Sequence, residues 1–301
     1  MAITPKLLTS DDRVAIISTA RKITLPEVLP SIRLLASWGL QPVVGKTIGK
    51  SCNQFAGTDK ERAEELQAMI YDNSIKAIFC ARGGYGSARI LDMVDFSSLE
   101  KNPKWIVGYS DVTAILSHIY YKHNIEGIHG IMPINIEDRN ENSATKTLKE
   151  ALFTGKATIE TQSEDLNIEG EACGELIGGN LSMLYSLLGS ESFQDTKDKI
   201  LFIEDLDEYL YHIDRMMLAL KRANKLQNIK GLVVGAFSDM HDNAVPFGKQ
   251  AEEIIYESIK ELNIPVAFNV PCGHIGTNNH AFIHGKQARL TVTKQGSRIE
   301  Q

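Results

Sequence analysis

Three residues in this sequence have the type and the placement for acyl-transfer chemistry, and each follows a short apolar run. Val107-Gly108-Tyr109-Ser110-Asp111-Val112-Thr113 puts a serine where a buried strand would turn into a helix. The pattern is close to the nucleophile elbow, Gly-x-Ser-x-Gly, with Thr113 at the last glycine's position. Such a turn exposes the serine Oγ and aims the following backbone N–H at the same point. The helix N-terminus adds partial positive charge that favours a developing oxyanion. The plainer reading is that Ser and Asp are preferred N-caps, so that Ser110 simply starts a helix.

In Phe202-Ile203-Glu204-Asp205-Leu206-Asp207-Glu208, four carboxylates follow a buried strand. Glu204 stands at the strand end, where a side chain can point into a crevice and orient a histidine. It could equally be a hard-metal ligand with Asp205 or Asp207. Acidic residues also favour helix N-termini, which accounts well for Asp205, Asp207 and Glu208 and less well for Glu204. In Val270-Pro271-Cys272-Gly273-His274-Ile275-Gly276, His274 lies in a glycine-flanked loop after a strand. There it is free to reach a serine as general base. A surface-loop histidine is the bland alternative. A metal site with His280 and His284 fits no zinc spacing, so no metal is expected.

The order Ser110, Glu204, His274 is the hydrolase order, with acid and base arriving after the nucleophile. Arg82-Gly83-Gly84-Tyr85-Gly86 supplies a fourth piece, because glycines after a strand let the backbone approach a ligand closely. The Gly84 and Asp111 amides could form an oxyanion hole. A dinucleotide loop competes for the same residues, but the third glycine is missing, with Arg89 in its place. Gly178-Gly179-Asn180 either borders the pocket or makes a tight turn capped by Asn180, and the turn is the favoured reading.

The elements that must position these residues are short apolar runs alternating with amphipathic stretches. Val14-Ala15-Ile16-Ile17, Ala77-Ile78-Phe79-Cys80 and Trp105-Ile106-Val107 read as buried strands in the first half. Ile200-Leu201-Phe202-Ile203, Leu232-Val233-Val234 and the run Val266 to Val270 do so in the second. Thr58-Asp59-Lys60-Glu61 is a capping box opening a helix through about Tyr71. A helix is expected after Gly86, with Ile90, Leu91 and Val94 inward. Others are expected around Ile115 to Ile119, from Leu181 to Leu188, from Tyr209 to Ala223 and from Lys249 to Leu262. This rhythm predicts an N-terminal parallel-sheet α/β domain over 1–135 and a C-terminal α/β domain over 172–301, with the site at their interface. The polar stretch 136–171, with Asp138, Arg139, Asn140, Glu141 and Asn142 in a row, reads as a linker with one helix around Leu148 to Phe153. A closing β segment is expected around Ala288 to Val292.

Composition narrows the function. The chain has 301 residues, with 32 Lys and Arg against 38 Asp and Glu, a net charge of −6. An acidic balance argues against wrapping nucleic acid, which needs a basic surface. No apolar stretch approaches the ~18 residues of a bilayer span, so no membrane partner is expected. The N-terminal stretch lacks the basic, apolar and small-residue pattern of a signal peptide. The four cysteines, Cys52, Cys80, Cys173 and Cys272, form neither a disulfide framework nor a zinc pattern. The expected compartment is a reducing cytoplasm.

Gly83-Gly84-Tyr85-Gly86, Gly108-Tyr109-Ser110-Asp111, Gly178-Gly179-Asn180-Leu181, Ile203-Glu204-Asp205 and Gly273-His274 together resemble the signatures of the LD-carboxypeptidases, serine peptidases of murein recycling. The resemblance runs from the first strand to the last. It implies Ser110 as nucleophile, Glu204 as triad acid and His274 as base. The Asp111 and Gly84 amides would be the oxyanion donors. It implies a small peptide substrate, the cytoplasmic murein tetrapeptide trimmed of its terminal D-Ala, and a homodimer without cofactor. Arg82, Gly83 and Asn180 are the candidates for substrate binding, Arg82 for the terminal carboxylate. A related branch cleaves peptide–nucleotide antibiotics such as microcin C and confers self-immunity. Its members are longer, so this chain resembles the shorter, recycling type. A non-catalytic nucleotide- or sugar-phosphate-binding protein is the rival of another class. An amidotransferase-like domain would need a cysteine at position 110.

Overall fold

The computed structural model describes residues 2–137 and 141–301. The first region runs β1 (Arg13–Ile17), α1 (Leu25–Ser37), β2 (Gln41–Val44), α2 (Asp59–Tyr71), β3 (Ile75–Cys80), β4 (Trp105–Gly108), α3 (Thr113–His123) and β5 (Gly127–His129). These strands are parallel, and all but the partly exposed edge strand β2 are largely apolar and buried, as strands covered on both faces must be. Alternation still sorts them. Val14 and Ile16 face a core with Val28 and Leu35 of α1, while Ala15 and Ile17 face one with Leu66 of α2 and Ile115 of α3. The predicted capping box opens α2: Thr58 Oγ1 accepts from the Glu61 amide at 3.2 Å, and the Thr58 amide donates to Glu61 Oε2 at 2.8 Å.

The chain then forms α4 (Ser143–Thr154), β6 (Thr158–Gln162), β7 (Gly170–Asn180), α5 (Leu181–Ser186), β8 (Ile200–Leu206), α6 (Leu210–Arg222), β9 (Gly231–Ser238), α7 (Ala251–Ile259), β10 (Val266–Ala267), β11 (Phe282–His284), β12 (Gln287–Thr293) and β13 (Gly296–Glu300). Two sheets result, ordered β11-β5-β4-β3-β1-β2 and β10-β9-β8-β7-β12-β13-β6. The second is parallel from β10 to β7 and antiparallel beyond β7.

Several elements differ from the sequence expectation. The stretch read as a linker does more than connect. Ala144, Leu148, Ala151 and Leu152 of α4 pack into the core of the first sheet, and β6 closes the edge of the second against β13. Asp138, Arg139 and Asn140, in its polar run, lie outside the described residues. Late in the chain, β11 returns to the first sheet and pairs antiparallel with β5. The strand expected from Val266 to Val270 stops at Ala267, because Asn269 takes a left-handed φ of 52°. The segment after Gly86 is a short 3₁₀ helix, Ala88–Met93, not an α-helix. Helix α7 ends at Ile259 and continues as 3₁₀ to Leu262.

The two regions share one apolar core, in which Ile115 and Ile119 of α3 join Leu181 and Leu184 of α5 and Ile213 of α6. Polar ties reinforce it. The Asn180 amide donates to Thr113 Oγ1 at 3.1 Å, and His118 Nδ1 meets Ser192 Oγ at 2.8 Å. Gly179 sits at this seam with φ +140°, and a Cβ there would lie 2.5 Å from Thr113 Oγ1. Gly179→Ala is therefore expected to destabilise the protein by about 1–3 kcal/mol through backbone strain and loss of the Asn180–Thr113 bond. The urea midpoint of the variant checks this; an unchanged midpoint would mean the seam can yield.

Candidate functional site

A cleft of about 460 Å³ opens between the two regions. Strand β4 delivers Ser110 to its floor. Tyr109 is still extended, and Ser110 then turns left-handed, with φ +61°. A non-glycine residue in that region is strained, and such strain concentrates at functional sites. Gly108 makes the turn tight: a Cβ there would meet both Val112 γ-carbons at 2.9 Å. Neither Ser110 nor Asp111 caps α3, whose N-cap is Val112. Ser110 does open a helical segment, the 3₁₀ turn Ser110–Val112 that runs into α3, but it does so with a left-handed φ and not as the cap of α3.

Asp111 reaches across to the glycine loop instead. Its Oδ1 accepts from the Gly86 amide at 3.1 Å and its Oδ2 from the Ser87 amide at 2.8 Å. Burial pushes its carboxyl up, with those bonds and the Arg62 charge acting the other way. Arg62 is fully buried and donates to the carbonyls of Gly86, at 2.9 Å, and Thr19. The loop is thus held at Gly86 from both sides, and Gly83 lies flat on the serine. A Cβ on Gly83 would stand 3.3 Å from Ser110 Oγ. A phosphate-binding loop needs free amides ahead of a helix N-terminus. Here two of the amides are spent on Asp111, and a short 3₁₀ turn follows.

The opposite wall comes from β8. The register of β8 against β9 shifts between Ile203 and Asp205, and this break re-aims Glu204 and Asp205. Glu204 is fully buried, and its Oε2 lies 2.7 Å from His274 Nδ1. Gly273, with φ +108°, leaves room for it, since a Cβ there would fall 2.7 Å from Oε2. Burial disfavours the His274 imidazolium, but the Glu204 charge and hydrogen bond, with Asp205 farther off, outweigh it. The pKa of His274 is raised. The bond through Nδ1 leaves Nε2 as the nitrogen free for chemistry.

The other carboxylates diverge, so no shared metal site forms from them. Asp205 accepts from Asn180 Nδ2 at 2.8 Å and from the Ser182 amide at 2.9 Å, and burial with the Glu204 charge pushes it up to about 7. Asp207 pairs with His241 and Glu208 with His212, both at 2.5 Å. His284 lies in β11, fully buried. Among the described residues no group of three or more His, Cys, Asp or Glu is placed to hold a metal ion.

Ser110, Asp111, Gly83, Gly84, Arg82, Asn180 and His274 all line the cleft, and Glu204 stands behind His274. Asn180 serves both purposes weighed from sequence, since its Oδ1 also caps α5 by accepting from the Met183 amide at 3.2 Å. The Tyr109 ring packs 4.9 Å from the His274 ring, tying the strand that carries Ser110 to His274. No hydrogen bond joins Ser110 Oγ to His274 in this structure; catalytic contacts commonly tighten only when substrate is bound. Sequence reasoning missed Arg21 and His129. Arg21 follows β1, so the strand-end rule that found the others applies to it as well. His129 is fully buried between the Tyr109 and Phe202 rings, at 5.8 and 5.0 Å, and burial lowers it to about 4. Only the pairing of β5 with β4 places it there.

The LD-carboxypeptidase N-terminal domain model matches residues 14–130 and the C-terminal domain model residues 173–290. A probable murein peptide carboxypeptidase of Bacillus subtilis is 35% identical over 96% of this chain and 92% of its own. The microcin C7 self-immunity protein MccF of Escherichia coli is 28% identical over 81% of this chain and 79% of its own. The crystal structure of muramoyltetrapeptide carboxypeptidase from Oxalobacter formigenes superposes with a TM-score of 0.86. It is 26% identical over 96% of this chain and 98% of that one.

The Glu204–His274 contact sets a titration. Removing the carboxylate charge in Glu204→Gln leaves burial as the larger influence on His274. Its pKa should then fall from above the ordinary ~6.5 to below it. An NMR titration of the His274 ring protons in both proteins reads this directly, and an unmoved midpoint would mean that Glu204 is not its electrostatic partner.

Proposed function

The chain belongs to the LD-carboxypeptidase family, and on that footing we propose that it removes the terminal D-Ala of the murein tetrapeptide with a Ser110–His274–Glu204 triad. The observation that carries the reading is the buried 2.7 Å contact between Glu204 and His274, at the wall of the cleft whose floor holds the strained Ser110. His274 Nε2 takes the proton from Ser110 Oγ as the oxygen attacks the carbonyl of the L,D amide bond. Glu204 holds the ring in its reactive tautomer and stabilises the imidazolium. The Gly84 and Asp111 amides face the developing oxyanion. The C–N bond breaks, and the imidazolium returns its proton to the departing D-Ala nitrogen. Water, deprotonated by His274, then hydrolyses the acyl-enzyme and frees Ser110.

Asn180, held by Asp205, and Gly83 shape the cleft around the peptide. The substrate assigns the protein to cytoplasmic recycling of murein fragments, and the homodimer implied by the family resemblance is part of this reading. Among the described residues no helix is long and apolar enough to cross a membrane. The likeness to MccF supports a second reading, in which the same triad hydrolyses a peptide–nucleotide.

Mass spectrometry of murein tripeptide, tetrapeptide and pentapeptide after incubation tests the first reading, which expects only the tetrapeptide to lose one alanine. Turnover of a peptide–nucleotide with the tetrapeptide untouched would favour the second. Ser110→Ala should abolish turnover, a loss of up to ~10⁶ in kcat, with little change in Tm. More than a few per cent residual activity would dismiss Ser110 as nucleophile. The wild-type kcat/KM should rise with pH through an apparent pKa at or above ~6.5, because the raised His274 must be neutral to act as base.

A further inference from the structure

The order of the first sheet reverses between β1 and β3: the chain goes outward to β2, then returns to build β3, β4 and β5 on the other side. In open α/β sheets the crevice outside the carboxyl ends of the strands at such a point is where ligands bind. Two segments meet there, Ser18-Thr19-Ala20-Arg21 after β1 and Ala81-Arg82-Gly83-Gly84 after β3, and the Arg21 amide donates to the Gly83 carbonyl at 3.3 Å. Each contributes an arginine to the cleft.

The two arginines are not equivalent. Arg82 Nη1 donates to the Lys22 carbonyl at 3.2 Å, and the Arg82 charge acts on Glu27. Arg82 also lines a separate cavity of about 200 Å³ with Lys22 and Glu27. Its guanidinium is engaged on the far side of the loop. The exposed Arg21 side chain has no hydrogen bond or ion pair to any described residue. It lies across Gly84, where a Cβ would run into its Cδ and stand 3.3 Å from its Nε. Gly84 has φ +99°, so the bare backbone at this position both makes the turn and leaves the arginine its place. The neighbouring glycine, Gly83, packs on Ser110. Arg21 and Ser110 therefore flank one glycine pair at one cleft.

The charges of the cleft are also largely segregated. Arg21 and Arg82 stand on the first-region wall, where the Asp111 carboxylate is taken up by the Gly86 and Ser87 amides, and Asp205, Asp207 and Glu208 stand on the other. The three carboxylates have their own partners in Asn180, His241 and His212. An anionic group entering the cleft is thus drawn to the arginine wall, where one guanidinium offers an unoccupied planar fork that matches a carboxylate.

We infer that Arg21 is the anchor for the terminal α-carboxylate of the peptide, fixing the departing residue against Gly84 with the scissile carbonyl over Ser110. This deepens the carboxypeptidase reading and rests on it, replacing Arg82 as the carboxylate partner suggested by sequence. Arg21 selects chains that end one residue beyond the bond to be cut, because only they place a carboxylate at that distance from the serine.

The test compares the tetrapeptide with its C-terminal carboxamide, which keeps the scissile bond and loses the charge. Wild type should show a KM lower by about 10- to 100-fold for the free acid, the range for a charge-assisted contact. Arg21→Gln should raise KM for the acid to that of the amide, leave KM for the amide unchanged and change kcat within a few-fold. Arg21→Lys should keep part of the preference, and Arg82→Gln should keep it all. Arg21→Gln retaining the wild-type preference, or Arg82→Gln erasing it, would overturn the assignment. Calorimetric binding of both peptides to Ser110→Ala and Ser110→Ala/Arg21→Gln reads the anchor without turnover. If wild type cleaves neither peptide, the carboxypeptidase reading falls. An acid preference in this titration that depends on Arg21 would still support the anchor, and the absence of one would overturn it.

Discussion

Glu204 is a carboxylate with no exposed surface, and its contact with His274 is the interaction around which the second region is arranged. An isolated buried carboxylate costs several kcal/mol, and a partner with good geometry is what makes the burial tolerable. The surrounding backbone is shaped to permit that geometry. A break in strand register turns the end of β8, and Gly273 and Gly235 give up side chains where Glu204 and Cys272 crowd in. The Gly273 amide donates to Asn279 Oδ1 at 2.8 Å, fixing the loop that carries the imidazole. The backbone holds Glu204, and Glu204 holds the His274 ring.

The first region solves a different problem, a largely buried serine on a tight, left-handed turn. The loop facing it is held close from several sides. Asp111 takes the amides of Gly86 and Ser87, Arg62 takes the Gly86 carbonyl, and Gly83 comes down on the serine. The two solutions meet through the packing of Tyr109 on His274 and through the apolar seam between α3 and α5. Changes at that seam would reach the cleft, because its lining is divided between the two sides.

Much of the fold was legible in the sequence. Buried parallel strands read as unbroken apolar runs, and the capping box at Thr58 is local chemistry that needs no tertiary context. What escaped depends on a distant partner: β6 as an element, and the sheet to which the short strand around Phe282 belongs. Strand β6 is a strand because β13 lies beside it, and β11 joins the first sheet because β5 offers an edge. Neither pairing leaves a mark in the periodicity of its own segment.

Residue types at strand ends singled out Ser110, Glu204 and His274, because such positions are where an α/β sheet can present side chains to a ligand. The sequence alone determined that much, together with the α/β class and the glycine loop after β3. Tertiary structure decided the directions. It turned Asp205, Asp207 and Glu208 away from Glu204 toward Asn180, His241 and His212, and it sent the Asp111 carboxylate to the glycine loop. It tied the Arg82 guanidinium to the Lys22 carbonyl and left the Arg21 side chain open at the same cleft. A one-dimensional pattern states which groups stand at the ends of strands, but where a side chain points depends on which backbone donors and opposite charges lie within about 3 Å of it, and those come from distant segments, 70 residues away for Glu204 and His274.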